Sequence, residues 1–369
     1  MAHQGLDIPR WRRLIWGTYL LITSDWPSSW GSLRRLRRNG VALPLGLVGL
    51  RITQASYRWG MPAEDYFRYG LYGSGGKSVP HPMWATKGYM YAFHEAMNQR
   101  DAREEIDDKI SFANVFEGMA IPTWNVISTD GQALERVACS IQGHGGSEVV
   151  VKLPKGRAGS GVWFATVTED GTWTSDDGRR GLPVDWLQSL VGASRVVIQP
   201  RVVQHPRLCT LAPAGLNTIR IVTALMPDGD VRVLGAALRM TIGERVDNFS
   251  QGNIAAAVDS TSGIVMSDGA YKDVHLHGRC AEHPISGVRI QGFEVPKWDR
   301  VLELVVSAAR RAPRCRSVGW DVAVTEEGPI LVEGNTTWNK DTLQIPSGRS
   351  IRSELDAVLR AWWEAGRLP

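Results

Sequence analysis

The spacing of apolar positions changes character twice along the chain. Residues 14–23 (LIWGTYLLIT) form an apolar run behind Arg10, Arg12 and Arg13. It falls short of the roughly 20 residues that a membrane-spanning helix needs. It also lacks a small-residue cleavage site soon after it, so no secretion signal is read here. From 65 to 103 the pattern is helical, with aromatics at Tyr66, Phe67, Tyr69, Tyr89, Tyr91 and Phe93. Past residue 107 strands and helices alternate. Short apolar runs predict strands at 121–127, 149–153, 162–167, 196–199, 218–224, 231–240 and 254–258. A helix is expected at 134–141, stopped by Gly143, Gly145 and Gly146. Amphipathic helices at 300–311 and 350–364 flank a hairpin at 318–335. The sum is an α+β chain whose mostly antiparallel sheets are partly covered by helices.

Composition narrows the class. Of 369 residues, 43% are hydrophobic and 22% charged, which excludes a disordered chain. The net charge of +4, from 42 basic and 38 acidic side chains, is too small to argue for nucleic acid. Cys139, Cys209, Cys280 and Cys315 lie far apart, with neither disulfide nor zinc spacing, so a reducing, cytoplasmic setting is expected. Residues 1–50 concentrate seven arginines against two aspartates, with Trp11, Trp16, Trp26 and Trp30 interleaved. Two readings stay open for them. One is a segment that contacts a partner or lies peripherally at the inner membrane face; the other is a helical lobe with inward tryptophans and solvated arginines.

The glycine-rich stretch at 73–78 (GSGGKS) is not a Walker phosphate loop, because the required first glycine falls on Leu71 and no buried strand precedes it. The hairpin is more informative. A turn centred on Glu327 brings Asp321 opposite Glu333, and Asn335 points the same way as Glu333. Facing carboxylates repel, and a divalent cation removes the conflict. The alternative is a solvated hairpin with scattered acids, whose other face is formed by Val322, Val324, Ile330 and Val332. Lys152, at the end of a buried strand, needs an anion to meet its ammonium. The glycine loop 156–161 after it can wrap backbone N–H groups around phosphate oxygens. Among the histidines, His275 and His277 alone have a ligand-like spacing, and they read as an exposed loop.

Taken in order, Lys109, Gly118, Lys152, the glycine loop, the strand at 196–203, Asp321, Glu333 and Asn335 resemble the ATP-grasp superfamily. Asn217, Arg220, the stretch 246–253 and Gly319-Trp320-Asp321 are similar to its sugar-transfer-associated branch, related to glutamate-ligase-like proteins. The resemblance covers residues 90 to 345. It implies two α+β lobes clamping ATP: a small lobe at 96–197, a large lobe at 198–369, and a helical region at 1–95.

The resemblance also implies roles. Lys109 and Lys152 would hold the α- and β-phosphates, with Gly156, Gly159, Ser160 and Gly161 closing over the β- and γ-phosphates. Gln199, Arg201 and Val203 would line the adenine hinge. Arg201 stands where many such hinges offer an acid, which leaves ribose recognition unassigned. Arg220 would neutralise the transferring phosphoryl group, and Asp321, Glu333 and Asn335 would hold Mg2+. Asn217, Arg239, Asn248 and Asn253 would face the substrate. The implied activity joins a carboxylate to an amine through an acyl-phosphate. A phosphotransferase with a stable phosphorylated product, or a non-catalytic ATP-binding scaffold for a sugar-transfer enzyme, are the other readings.

Overall fold

The computed structural model describes residues 10–41, 44–72, 84–122, 125–127, 148–155, 161–168, 170, 172–176, 178, 180–182, 185, 196–243 and 245–368. The loop at 73–78, the helix expected at 134–141, and Gly156, Gly159 and Ser160 lie outside these residues.

The chain opens with helices α1 (Arg10–Ile22), α2 (Trp26–Arg38), α3 (Leu45–Trp59), α4 (Ala63–Arg68) and α5 (Lys87–Met97). Short helices α6 (Glu104–Asp107) and α7 (Lys109–Val115) follow. Strands β1 (Asn125–Ile127), β2 (Glu148–Lys152), β3 (Val162–Val167), β4 (Trp173–Ser175), β5 (Arg180–Gly181) and β6 (Val196–Pro200) pair antiparallel in the order β1-β6-β2-β3-β4-β5. After α8 (Pro206–Leu211) come β7 (Ile219–Leu225), β8 (Val231–Met240), β9 (Ile254–Val258) and β10 (Gly269–Tyr271). Then follow α9 (Val274–His277), β11 (Arg279–Cys280), α10 (Trp298–Arg311), β12 (Ser317–Val324), β13 (Pro329–Asn335), α11 (Asp341–Ser347) and α12 (Arg352–Glu364). This larger sheet runs β11-β10-β9-β8-β7-β12-β13, also antiparallel.

Every residue of β7 and β12 is buried, because both faces of the larger sheet are covered. On one face Ile219, Ile221, Val318, Trp320, Val322 and Leu331 pack with Val301 and Val305 of α10. On the other, Val222, Ala224 and Ala237 meet Phe93 of α5, Leu343 of α11 and Leu355 of α12. Strand parity therefore sets Arg220, Arg239 and Asp321 apart from the α10 face.

The expected division at residue 96 does not follow the packing. Ile106, Phe112 and Phe116, from α6 and α7 onwards, belong to the core of the larger sheet. Phe116 meets Trp320 edge to face at 5.6 Å. A Cβ on Gly334 would lie 2.6 Å from Ile106 and 3.3 Å from Phe112, so this close approach requires glycine. The smaller sheet also keeps β6 as far as Pro200, past the expected boundary at 197.

The helical region is part of the fold rather than an appendage. Leu33, Leu36, Ile52, Tyr66 and Phe67 form a core with Phe249, Ala255, Ala270 and Ile345 of the larger lobe. Its tryptophans divide between the two readings: Trp16 and Trp26 are half-buried, while Trp11 and Trp30 are exposed.

Candidate functional site

The hairpin of β12 and β13 has the expected register at its functional end, with Asp321 opposite Glu333 and Gly319 opposite Asn335. Between Asp321 and Val322 the register slips, and Val322 faces Leu331. The bulge inserts one residue, Val332, and thereby reverses which face the end of β13 presents. Leu331 faces the buried α10 side, and Glu333 emerges beside Asp321 on the opposite side. Without the slip, Glu333 would share the apolar face with Leu331. The expected apolar set is corrected accordingly: Leu331 joins Val322 and Val324 in the core, while Ile330 and Val332 stay half-buried.

Arginines relieve the repulsion between the two carboxylates. Arg220, opposite Asp321 on β7, donates from Nε to Oδ1 at 2.5 Å and from Nη2 to Oδ2 at 2.9 Å. Arg239 of β8 adds Nη1 contacts at 3.1 and 3.0 Å to the same oxygens. All three side chains are nearly enclosed, at 9%, 11% and 2% exposure for Arg220, Arg239 and Asp321. Burial alone would raise the Asp321 carboxyl, but the two guanidinium groups hold it well below the usual carboxylate range. Glu333 goes the other way: burial and the facing Asp321 raise it above its ordinary value. The pair thus divides into a permanent anion and a carboxyl that holds its proton more tightly.

Lys152 of the smaller sheet and Lys109 of α7 reach this hairpin. Burial brings the Lys152 ammonium down to about 8; the nearby Glu333 opposes that fall and Lys109 deepens it. Lys109 is positioned by its neighbours. Asp108 caps α7 through Ile110 N and Ser111 N, both at 3.0 Å. Asp107 accepts from Thr336 N at 2.9 Å and from its hydroxyl at 2.7 Å, pinning α6 to the end of β13. Lys109 N donates to Pro154 O at 3.1 Å, so the same turn also touches the chain just after β2. Lys109, Lys152, Arg220, Arg239, Asp321, Glu333 and Asn335 therefore form one charged cluster, and Gly161 begins the turn into β3 nearby.

Other expected site residues occupy different positions. Asn217 is fully buried, with its amide satisfied by Gln204 Oε1, Ala212 O and Thr241 N at 2.7–2.9 Å. Asn253 bonds Ile242 N, Val246 O and Asn248 O, and Asn248 caps the short turn at 249–251 through Ser250 N. Asn253 thus spends its polar atoms on loop backbone, and Asn217 on backbone and the Gln204 side chain. Arg201 pairs with Glu148 of β2, and Arg245 bridges Glu148 and Asp176. Gln199 is half-buried and Val203 is 80% exposed. The sequence reading missed Asp247, which binds Thr218 N at 2.7 Å and pairs with Arg239. Its signal was present, as an acid in a loop beside an arginine-bearing strand.

The donor set suits a hard divalent ion in part. Asn335 keeps its carbonyl oxygen while its Nδ2 faces Gly319 O and Glu333 Oε1 at 3.5 and 3.4 Å. Glu333 and Asn335 thus offer oxygen ligands of the kind Mg2+ takes. Each Asp321 oxygen, by contrast, already meets N–H groups from both arginines. Among the described residues no three His, Cys, Asp or Glu side chains gather as a metal cluster.

Beyond Asn335 the chain borders a cavity of about 370 Å³, walled by segment 337–341, by α4 and α5, and by Trp16 of α1. Its frame is a buried ion network. Lys340 Nζ meets Asp341 at 2.7 Å and Asp65 at 3.0 Å, and Arg68 Nε meets Asp273 at 2.7 Å. His94, 6% exposed, has a buried Nε2 without a hydrogen-bond partner, and burial beside Arg103 brings the imidazole down to about 3, so it is neutral. A Cβ on Gly319 would lie 2.6 Å from Trp338 Cβ and 3.3 Å from Arg220 Cδ, so one wall of this cavity stands next to the arginine pair.

Two antiparallel sheets, with Lys152 of the smaller reaching an acid hairpin of the larger, have the arrangement of an ATP-grasp protein. The family model for sugar-transfer associated ATP-grasp matches residues 90–360, and the chain belongs to that family. No curated protein matches the sequence. Similar solved structures include the ADP complex of purK, N5-carboxyaminoimidazole ribonucleotide synthetase, at 11% identity, TM-score 0.37, 64% of this chain and 46% of that one. This chain thus spans under half the length of that protein. D-alanyl-alanine synthetase A from Vibrio cholerae O1 biovar eltor is 12% identical, with TM-score 0.42, over 71% and 67% of the two chains. D-alanine–D-alanine ligase from Bacillus anthracis is 14% identical, with TM-score 0.40, over 73% and 71%.

Proposed function

We propose that the protein is an ATP- and Mg2+-dependent carboxylate–amine ligase acting on a cell-surface polysaccharide precursor or a related small metabolite in the cytoplasm. The observation that supports this reading is the convergence of Lys152 and Lys109 on Glu333, next to a pair of arginines aimed at one buried carboxylate. Four cations around that point suit a triphosphate and a phosphoryl group in transfer. Lys109 and Lys152 would bind phosphate oxygens. Arg220 and Arg239 would turn from Asp321 toward the transferring group and its acyl-phosphate product. Glu333 and Asn335 would hold Mg2+, which supplies charge neutralisation of the phosphates when bound.

In the chemistry proposed, a substrate carboxylate oxygen bonds to the γ-phosphorus as the bond to ADP breaks. An amine nitrogen then bonds to the acyl carbon, phosphate departs, and the amine loses a proton. The cavity beyond Asn335 has the position required of a second-substrate pocket, because Trp338 separates it from Arg220 by the width of a glycine. Its polar lining includes Lys87, Asn339 and the unpartnered His94 nitrogen.

Phosphate release from Mg-ATP, screened over acid–amine pairs, tests the reading. Release only when both are present, with an amide detected by mass spectrometry, supports it. A stable phosphorylated product instead assigns the protein as a phosphotransferase, and ATP binding without turnover for every pair leaves a scaffold.

A further inference from the structure

Helix α1 is apolar on two sides. Trp16, Gly17, Leu20 and Leu21 turn toward the protein, and Leu20 is completely buried. The opposite side carries Trp11, Leu14, Ile15 and Ile22, which are 58, 59, 64 and 74% exposed. Their spacing places them on one stripe of a 3.6-residue helix. Thr18 lies in the same stripe, and its hydroxyl is 2.9 Å from the Tyr57 hydroxyl of α3. Leu50, two turns before Tyr57 on α3, is 65% exposed. Helix α3, which packs against α1, thus also carries an exposed apolar side chain.

Charge around the strip has one sign. Residues 10–60 contain nine arginines and a single carboxylate, Asp25. Asp25 accepts from Ser28 N at the start of α2, so it is committed to a cap. Arg12 lies over the Trp11 ring at 5.2 Å, and Arg34 and Arg38 are exposed on α2. Among the described residues no helix is long and apolar enough to cross a membrane. Large apolar side chains in a row, on helices whose arginines outnumber their one exposed acid, Asp25, by nine to one, match a surface that is apolar inside and anionic at its rim. Guanidinium groups pair bidentately with phosphate, and Trp favours the boundary between headgroups and acyl chains.

We propose that the face formed by α1 and α3, with the arginines of α2 beside it, docks on an anionic phospholipid surface with α1 lying in the interface. The proposal is independent of the ligase reading, since none of these residues lies in the charged cluster around Asp321.

Flotation of the full-length protein with lipid vesicles tests it. One set is phosphatidylcholine alone; the other contains about one third phosphatidylglycerol, whose headgroups supply the anionic potential. The bound fraction should rise about tenfold on the anionic vesicles and fall again at about 1 M salt, where charge interactions are screened within ~3 Å. Ile15→Glu with Ile22→Glu should abolish binding while circular dichroism and the thermal unfolding midpoint stay unchanged, because both side chains are exposed. Arg34→Glu with Arg38→Glu should reduce binding to anionic vesicles alone. Equal, negligible flotation with both vesicle types would overturn the proposal, including the outcome in which this face is covered by a second copy or a protein partner. So would unimpaired binding by the double Ile variant.

Discussion

Replacing Asp321 with asparagine isolates the feature on which the charged cluster is built. The carboxylate meets four N–H···O contacts, at 2.5 and 2.9 Å from Arg220 and at 3.1 and 3.0 Å from Arg239. Asparagine removes the charge and turns an amide N–H toward cations. Breaking a buried pair by removing one partner costs about 3–5 kcal/mol. Arg239 keeps Asp247 as a partner, whereas Arg220 loses its bidentate one. Part of the loss is offset by Glu333, whose carboxyl is raised by burial and by Asp321, and which ionises more readily once Asp321 is neutral. A net loss of about 3 kcal/mol lowers the urea midpoint by about 1 M for an m-value near 3 kcal/mol/M. Equilibrium unfolding in urea measures it. The double variant Arg220→Met with Asp321→Asn removes the stranded cation and should recover at least half of the loss, a coupling that a double-mutant cycle reads directly. A stability for Asp321→Asn within about 0.5 kcal/mol of wild type, or no recovery in the double variant, would refute the reasoning.

Other outcomes follow from the same geometry. Burial lowers Lys152 to about 8, so its ammonium is present at pH 7 and mostly lost at pH 9; ATP affinity by calorimetry should weaken about tenfold over that range, and Lys152→Met should show weaker, pH-flat binding. The folded state gains on the neutral side, so Lys152 contributes stability that rises with pH through 8 toward its unfolded value. Glu333→Ala should abolish turnover with the fold intact by circular dichroism, and near-normal turnover would remove it from the site. Gly334→Val meets Ile106 at 2.6 Å and Trp320 at 3.1 Å and should cost about 1–3 kcal/mol or more in denaturant unfolding. Deleting residues 1–40 removes Leu20, Leu33 and Leu36 from buried positions and should yield insoluble protein; a soluble, ATP-hydrolysing truncation would show that these helices are dispensable.

The pairing of Asp321 with Glu333 agrees with a turn centred on Glu327, but the turn lies half a residue earlier, with Val324 opposite Pro329, and it is the bulge that restores the pair. The bulge at Val332 was not legible, since nothing in the spacing of β13 distinguishes a slipped register from a regular one. Lys152 could be found because a lysine ending an apolar strand is expensive wherever it lies. The partnership of Asp321 with Arg220 and Arg239 could not, because it spans 101 and 82 residues of sequence and depends on strand order. Asn217 and Asn253 show the converse error. An asparagine in a family motif looks like a ligand-binding group, yet both spend their amides on neighbouring loops, Asn217 partly on the Gln204 side chain, a role that no pattern separates from recognition. The boundary near 96 failed for a similar reason: α6 and α7 precede the smaller sheet in sequence but bury Ile106 and Phe112 against the larger one.

Glu148 of the smaller sheet and Arg245 of the larger lobe meet at 3.1 Å, with side chains 29% and 38% exposed, and Arg245 also holds Asp176 at 3.1 Å. A clasp of half-wetted charge is weak and responds to dissolved ions, unlike the enclosed arginine pair a short distance away. Dissolved salt should therefore weaken this link between the two sheets well before it disturbs the enclosed Arg220–Asp321 pair.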